Sequence, residues 1–448
     1  MNYATMKTLC LLIIISCVLF LIPQSCTHGG TFTDSHPQKL RVIVESDLGG
    51  DPDDEASMTR FFLYMNEWDV EALIGTRGKK ISRLDLSAKD MLLQYIDDYE
   101  SVYSNLLIHK DGYPTPDYLR ARTVQYDDGD VARDLIISVI DKPDPRSVYI
   151  SNWGTLPNGP YNPATALRRA LDHVKATRSA DEYRSFVGKI RYSQINKYDR
   201  AGKAHLANML FHLDVTDDMD GGRWYHRWRP ITEKAGGFDV KSDIKNDHGP
   251  LAANYTIQKE GDTPTFMFWI RNGLGDFSRP DWGGWAGRYS NHNGNAWEPD
   301  QQDTWKGSTN RDNTLLRFAD HIQMDFAARA DWCVAATYGE ANHEPIPFLQ
   351  GDGSQRIFQQ EVTGWQNLTL SADGTNDPDG DALTYRWIYY QEAGTWPGEV
   401  TISNSSSPEC TVQVPADAVG NKIHIYLEVT DKGIPPLTRY RRAVLTIK

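Results

Sequence analysis

The chain has 448 residues, with 47 Lys and Arg against 60 Asp and Glu, for a formal net charge of -13. No basic stripe relieves that charge, which speaks against nucleic acid as a ligand. The length accommodates a large α/β domain plus a second domain.

Residues 1–26 read as an export signal. Lys7 precedes an apolar run from Leu9 to Ile22, about one signal-peptide core long and short for a membrane span. Cys26 is a candidate for lipidation, although Pro23 stands where a lipoprotein signal usually carries an aliphatic residue; plain cleavage is the alternative. Either route predicts an exported protein: periplasmic, extracellular, or an outer-membrane lipoprotein that meets the membrane only through its anchor. No other run approaches the ~18 apolar residues of a transmembrane helix. Beyond the signal only Cys333 and Cys410 remain, too few for a disulfide framework and expected as buried free thiols, with a bridge between them as the alternative. The 13 Trp and 22 Tyr suit carbohydrate stacking in an exported protein, with most expected in the core.

The chemistry concentrates between Arg41 and Asp54. Val42 to Val44 read as a short buried strand, which runs into Glu45, Asp47, Asp51, Asp53 and Asp54. A helical stretch from Glu55 follows. Five carboxylates thus collect where a strand ends and a helix begins, the place where open α/β sheets bind ligands. Crowded like charges repel unless a cation or protons neutralise them, and hard carboxylate oxygens suit Ca²⁺ or Mg²⁺. A helix N-terminus also favours acidic residues through its dipole. That accounts for Asp53, Asp54 and Glu55 without requiring Glu45 and Asp47.

The same strand, loop, helix order recurs downstream. Val70–Thr76 predicts a second strand ending in Arg77 and Lys79. Leu84–Tyr99 and Ala132–Asp141 predict helices from apolar residues at helical spacing. Ser147–Ser151 is a strand that exits into Trp153-Gly154-Thr155, where Trp153 either stacks on a sugar or packs in the core. Phe186–Gln194 is read as the next strand, with Asn196 at its exit able to hydrogen-bond a sugar hydroxyl. Trp224–Arg229 is aromatic and basic, either a substrate wall or loop packing. Residues 303–330 supply the last helix, and Asn342–Pro347 marks a boundary. Beyond it, runs of five to eight strand-like residues separated by turns predict a β-sandwich. Asp377-Pro-Asp-Gly-Asp381 is either an Asx turn or a Ca²⁺ loop.

The order strand, Asp47, Gly49-Gly50 turn, Asp53-Asp54, helix resembles the start of the inosine-uridine nucleoside hydrolases. Glu45 replaces their first Asp, and the turn is two residues longer. The whole chain is more similar to a secreted bacterial family, often labelled cellulose-binding, with a nucleoside-hydrolase-like domain followed by an Ig-like domain. Asp247-His-Gly-Pro250, Glu260-Gly-Asp-Thr-Pro264 and Gly283-Gly-Trp-Ala-Gly-Arg288 carry that likeness. The resemblance implies an α/β fold with a mostly parallel sheet and flanking helices over residues 38–342. A small all-β Ig-like or PKD-like sandwich follows over residues 352–448.

By the same resemblance, Asp47 holds a metal ion and activates water, Asp54 binds the metal with both oxygens, and Asp262 closes the metal shell. Asp53 grips ring hydroxyls and His248 is the acid toward the leaving group. Trp153, Asn196, Trp285 and Arg288 are candidate substrate contacts. The cofactor implied is Ca²⁺. The expected activity is hydrolysis of a glycosyl bond, N- or O-linked and furanosyl, with a carbohydrate or nucleoside-like ligand. The alternative is a carbohydrate-binding protein that kept the fold and lost catalysis.

Overall fold

The computed structural model describes residues 30–33, 38–50, 52–78, 85–153, 164–194, 211–214, 228, 231, 236–255, 260–291 and 295–448. Asn196 lies outside them. The first strand, β1 (Gly30–Thr33), precedes the α/β domain, whose chain enters at β2 (Leu40–Ser46). Every residue of β2 is buried, as a strand covered on both faces requires. Helix α1 (Pro52–Leu63) follows, then β3 (Trp68–Gly75) and α2 (Ala88–His109). Next come α3 (Pro116–Arg120), β4 (Thr123–Gln125), α4 (Val131–Asp141) and β5 (Val148–Trp153). Helices α5 (Ala164–Thr177) and α6 (Ala180–Gly188) lead to β6 (Ile190–Gln194), with β7 (Phe211–Asp214) after it.

The expected strand over residues 186–194 is therefore shorter. Ser179 and Glu182 form a reciprocal capping box that starts α6. Phe186 and Val187 are its last turn, and the strand begins only at Ile190.

Helices α7 (Gly249–Ala253) and α8 (Pro264–Met267) precede the short edge strands β8 (Ser290–Asn291) and β9 (Ala296–Glu298). A hairpin of β10 (Asp303–Trp305) and β11 (Ser308–Asn310) stands where helix was expected. Helix then resumes as α9 (Asn313–Leu316) and α10 (Ala319–Asp331). The sheet order is β4-β3-β2-β5-β6-β7-β9-β8, parallel except for the last pair. The chain moves outward from β2 through β3 to β4, then returns to lay β5 on its other side. The gap between β2 and β5 is the topological switch point, where carboxyl ends of strands leave a crevice.

Strand alternation divides the core in two. Val42 and Val44 join α1 and α2 in one apolar cluster. Ile43, Ile74 and Ile150 join α4, α5 and α6 in the other.

The C-terminal part is a β-sandwich. Strands β12 (Ile357–Val362), β14 (Thr384–Tyr389), β17 (Lys422–Thr430) and β18 (Thr438–Ile447) form one sheet with β1 on its edge. Strands β13 (Asn367–Ser371), β15 (Thr401–Ser403) and β16 (Glu409–Gln413) form the other. Residues 30–33 thus pair antiparallel with β12, so the chain crosses from the sandwich into the α/β domain and back.

The junction is sealed by side chains from both parts. Tyr390, Tyr426 and Tyr440 belong to the first apolar cluster. Arg439 pairs with buried Asp325 at 2.6 Å. Asp303 accepts from Arg288, Arg317 and the Tyr390 hydroxyl. Gly273 sits at φ +85, where a Cβ would lie 1.9 Å from the Tyr440 carbonyl oxygen. Gly273→Ala is expected to lose roughly 2–4 kcal/mol, from left-handed backbone strain plus overpacking. Chemical denaturation with fluorescence from both parts checks this, since the nearest atoms the new methyl meets, those of Tyr440 and Arg441, lie across the interface.

Candidate functional site

The acidic strand end lies at the switch point. Ser46 and Trp153 are register partners at the carboxyl ends of β2 and β5. After Ser46 the backbone turns sharply, with the Gly50 N–H donating to the Asp47 carbonyl at 2.8 Å. Gly49 takes φ +81, and a Cβ there would strike Met91 Sδ at 2.4 Å. Arg77 holds the turn from the side. Its Nε and Nη2 donate to the Leu48 carbonyl at 2.9 and 2.6 Å, and Nη1 donates to Leu86 O at 3.0 Å. The cation from the second strand exit is therefore a backbone clamp.

That turn delivers Asp53 and Asp54 into the first turn of α1. Ser46 Oγ donates to Asp54 Oδ1 at 2.5 Å. Asp262 arrives from the segment before α8. One carboxylate oxygen each of Asp53, Asp54 and Asp262 lies within 4.8 Å of the others, and all three residues are buried. Three buried carboxylates this close carry a charge that water cannot screen. Their hard, uniformly oxygen donor set fits Ca²⁺.

The metal set expected from the sequence was Asp47, Asp54 and Asp262. Two of these converge, and Asp53 takes the third place. Asp47 is buried at the same turn, but it is not among the three mutually close carboxylates. The Asp47–Gly50 turn folds the chain back at that residue, and the carboxylates that meet Asp262 are the pair on α1.

Asp262 is placed by a buried polar anchor that the sequence did not reveal as such. Glu260 accepts from Arg60 Nε and Nη2 at 2.6 and 2.8 Å. Tyr255 Oη and Thr263 Oγ1 donate to it as well, and Thr263 Oγ1 also meets Ser57 Oγ at 3.1 Å. The Glu260–Thr263 turn is thereby fixed on α1 itself. On the other side, Thr265 Oγ1 donates to the Asp262 carbonyl and meets Ser151 Oγ of β5 at 2.7 Å.

A second polar row runs along the opposite face of the same strand ends. Glu45, Asn152 and Gln194 are register partners on β2, β5 and β6, and all are buried. Asn152 Nδ2 donates to Glu45 Oε2 at 3.0 Å. Burial pushes the Glu45 carboxyl up to about 8, against the opposing hydrogen bonds from Asn152 and the Leu167 backbone. Glu45 is thus protonated at neutral pH and lies on the α5 side, away from Asp54.

Three other candidate contacts, Trp153, Trp285 and Arg288, fall elsewhere. Trp153 is completely buried, with its ring 5.7 Å from Phe61, 5.4 Å from Phe266 and Nε1 donating to Ser151 Oγ. It packs α1 and α8 onto the sheet and presents no face to a sugar. Trp285 is buried at the domain junction, where Nε1 donates to Tyr440 Oη. Arg288 spends its guanidinium on Asp303, Gln301 and the Gln302 carbonyl. Trp228, the described residue of the aromatic-basic stretch, is core.

His248 caps α7 beside the far half of α2. A Cβ on Gly249 would sit 3.1 Å from Val102 Cγ1, and α2 travels about 16 Å between Met91 and Val102. His248 Nε2 lies 2.9 Å from Asp331 Oδ1. Its hydrogen bond to Asp331 holds the imidazole pKa above the usual value, against partial burial. A raised pKa contributes stability that is complete below the ordinary histidine range and is lost as pH rises through the folded-state value. His248→Gln is therefore expected to cost on the order of 1 kcal/mol or less near pH 5 and almost nothing near pH 9. Thermal unfolding across that range checks it, with sugar release and cation binding unchanged.

A cavity of about 420 Å³ opens at the domain junction between His109, Asn272, Tyr338, His343 and Arg439. It contains none of the expected site residues.

A parallel α/β sheet with carboxylates gathered at its switch point, closed by a β-sandwich, defines a nucleoside-hydrolase-like protein with an appended Ig-like module. Residues 41–289 match the family model described as "Cellulose-binding Sde182, nucleoside hydrolase-like domain". Residues 367–447 match "Cellulose-binding protein Sde0182, C-terminal domain". The chain belongs to this cellulose-binding family. Among solved structures, it is similar to a nucleoside hydrolase-related hypothetical protein from Saccharophagus degradans that is associated with carbohydrate metabolism. The two are 31% identical, with a TM-score of 0.73 over 92% of this chain and 100% of that one. The PKD domain of the KIAA 1837 protein covers 20% of this chain and 79% of its own, at 17% identity and a TM-score of 0.15, too slight to carry an argument. No match is found among curated proteins.

Proposed function

We propose that this is an exported, Ca²⁺-dependent hydrolase of glycosyl bonds, N- or O-linked and furanosyl. The convergence of buried Asp53, Asp54 and Asp262 carries the reading. A merely acidic helix start would explain two of these residues and would not bring the third from more than 200 residues away in sequence. Asp53, Asp54 and Asp262 hold the cation, and when bound it supplies positive charge that makes a nearby water easier to deprotonate. Asp47, buried at the same strand end, takes the proton from the attacking water. The negative field of the cluster favours the oxocarbenium character that develops on the sugar as its glycosyl bond breaks. His248 is paired with Asp331 away from this cluster, so the leaving group takes its proton from solvent water and Asp47 returns the proton it accepted to solvent, which balances the hydrolysis.

The family's cellulose-binding description supports a second reading, a carbohydrate binder without turnover. Trp153 and Trp285 are unavailable to it, but Trp365 in the sandwich is 80% exposed and offers a ring face for stacking. Release of free sugar should be measured over a panel of nucleosides and furanosidic glycans, with Ca²⁺ and with EDTA. Turnover that EDTA removes supports the hydrolase. No turnover on any member, together with retention on insoluble cellulose that Trp365→Ala abolishes, would establish the binder instead.

A further inference from the structure

The Asp377-Pro-Asp-Gly-Asp381 turn of the sandwich contains a second group of converging carboxylates. One oxygen each of Asp377, Asp379 and Asp381 lies within 4.8 Å of the others. Asp377 Oδ1 shapes the turn by accepting from the backbone N–H groups of Asp379 and Asp381 at 2.9 and 3.1 Å. That alone describes an Asx turn. The neighbouring residues go further.

The junction segment ties a fourth carboxylate to this turn. His343 brings its backbone N–H to Asp379 Oδ2 at 2.7 Å and its Nδ1 to Asp379 Oδ1 at 3.0 Å. Its predecessor, Asn342, donates Nδ2 to Asp431 Oδ1 at 3.1 Å and to the Pro435 carbonyl at 2.8 Å. Adjacent residues therefore clamp Asp379 and Asp431.

The oxygens left over are the telling feature. Asp431 Oδ1 also accepts from the Gly433 and Leu437 N–H groups. Asp431 is only 2% exposed, and its Oδ2 is sealed from solvent without a hydrogen-bond partner. Asp377 Oδ2 is sealed and unpartnered too. So is Oδ1 of Asn342, a residue 6% exposed. A buried carboxylate oxygen without a donor is costly, and two of them add to that cost. One cation answers all of these oxygens together.

We propose a structural Ca²⁺ site at the domain junction, formed by Asp377, Asp379, Asp381 and Asp431 with the Asn342 side-chain oxygen. Five protein oxygens of irregular arrangement, completed by water, suit Ca²⁺ better than Mg²⁺, which demands a near-ideal octahedron and retains its own waters. The site joins three distant segments: the domain junction, the turn before β14 and the connection from β17 to β18. His343 carries the link onward. Its ring stacks on Tyr338 at 3.7 Å, and Nε2 lies 3.1 Å from His109 Nδ1 at the end of α2. The bound ion would hold the sandwich against the α/β domain.

The test is Ca²⁺ titration of the metal-stripped full chain by calorimetry, with bound metal counted by elemental analysis. Asp381→Ala and Asp431→Asn are compared with the unsubstituted protein and, separately, in an Asp54→Ala chain. Asp381 offers the turn only its backbone N–H, and Asn at 431 keeps an oxygen for the two backbone donors. Both variants should therefore fold. Each is expected to lose one Ca²⁺ equivalent, or to bind it on the order of tenfold more weakly, whether or not Asp54 is intact. The Ca²⁺-induced rise in unfolding temperature should shrink with it. Folded variants that bind as much Ca²⁺, as tightly, as their parents would overturn the site.

Discussion

Asp54→Ala is expected to remove one Ca²⁺ equivalent from the α/β domain and to reduce sugar release by at least on the order of 100-fold. Changes in the outer shell of a metal site already cost 10–100-fold, and Asp54 belongs to the donor group itself. The stability consequence has a sign that tests the assignment. Without metal, Asp53, Asp54 and Asp262 repel one another in a buried setting. Deleting one of them relieves that repulsion, against the loss of contacts that include the Ser46 hydrogen bond. In EDTA the variant should therefore unfold at a temperature close to, or above, that of the unsubstituted chain. A ligand at 100 times its dissociation constant stabilises by about 2.7 kcal/mol, and the variant forgoes that increment at this site. A variant destabilised in EDTA yet shifted by Ca²⁺ as much as the parent would mean that Asp54 is a structural cap and no ligand.

The strand end at Glu45–Asp54 was legible because its chemistry is local. A buried strand, a glycine turn and a helix start fix where the carboxylates emerge, and a parallel sheet fixes which edge they share. The Glu260-Gly-Asp262 segment was visible as a motif, and its role depended on a partner that no local pattern predicts. Arg60, 200 residues earlier, looks in sequence like one polar position on a helix. The aromatic candidates failed for a related reason. A Trp at a strand exit has the same sequence signature whether its ring meets a sugar or Phe61 and Phe266. Arg288 is a plausible substrate contact until Asp303, on an unexpected hairpin, occupies its guanidinium. Glu45 illustrates alternation. One residue before Ser46, it points to the other face, where burial keeps it protonated.

The Arg60–Glu260 pair sets the second large effect. Glu260→Ala leaves a guanidinium with no exposure whose carboxylate partner is gone, among Phe326 at 3.7 Å, Trp228 and Gln323. Removing one partner of a buried ion pair typically costs about 3–5 kcal/mol, and the Tyr255 and Thr263 hydroxyls lose their acceptor as well. Denaturant unfolding should register a loss of that size. The cost comes from the stranded charge, so Arg60→Met combined with Glu260→Leu should recover much of the stability, since buried pairs are often replaceable by apolar residues of similar volume. Function should not recover with it. Asp262 is held opposite Asp53 and Asp54 by this anchor, and an apolar pair gives the Glu260–Thr263 turn nothing to hold. The double variant is thus expected to be stable and to bind Ca²⁺ weakly at the strand end. If it instead binds Ca²⁺ like the parent, the anchor serves stability alone, and the Asp262 turn is positioned from the Ser151–Thr265 side.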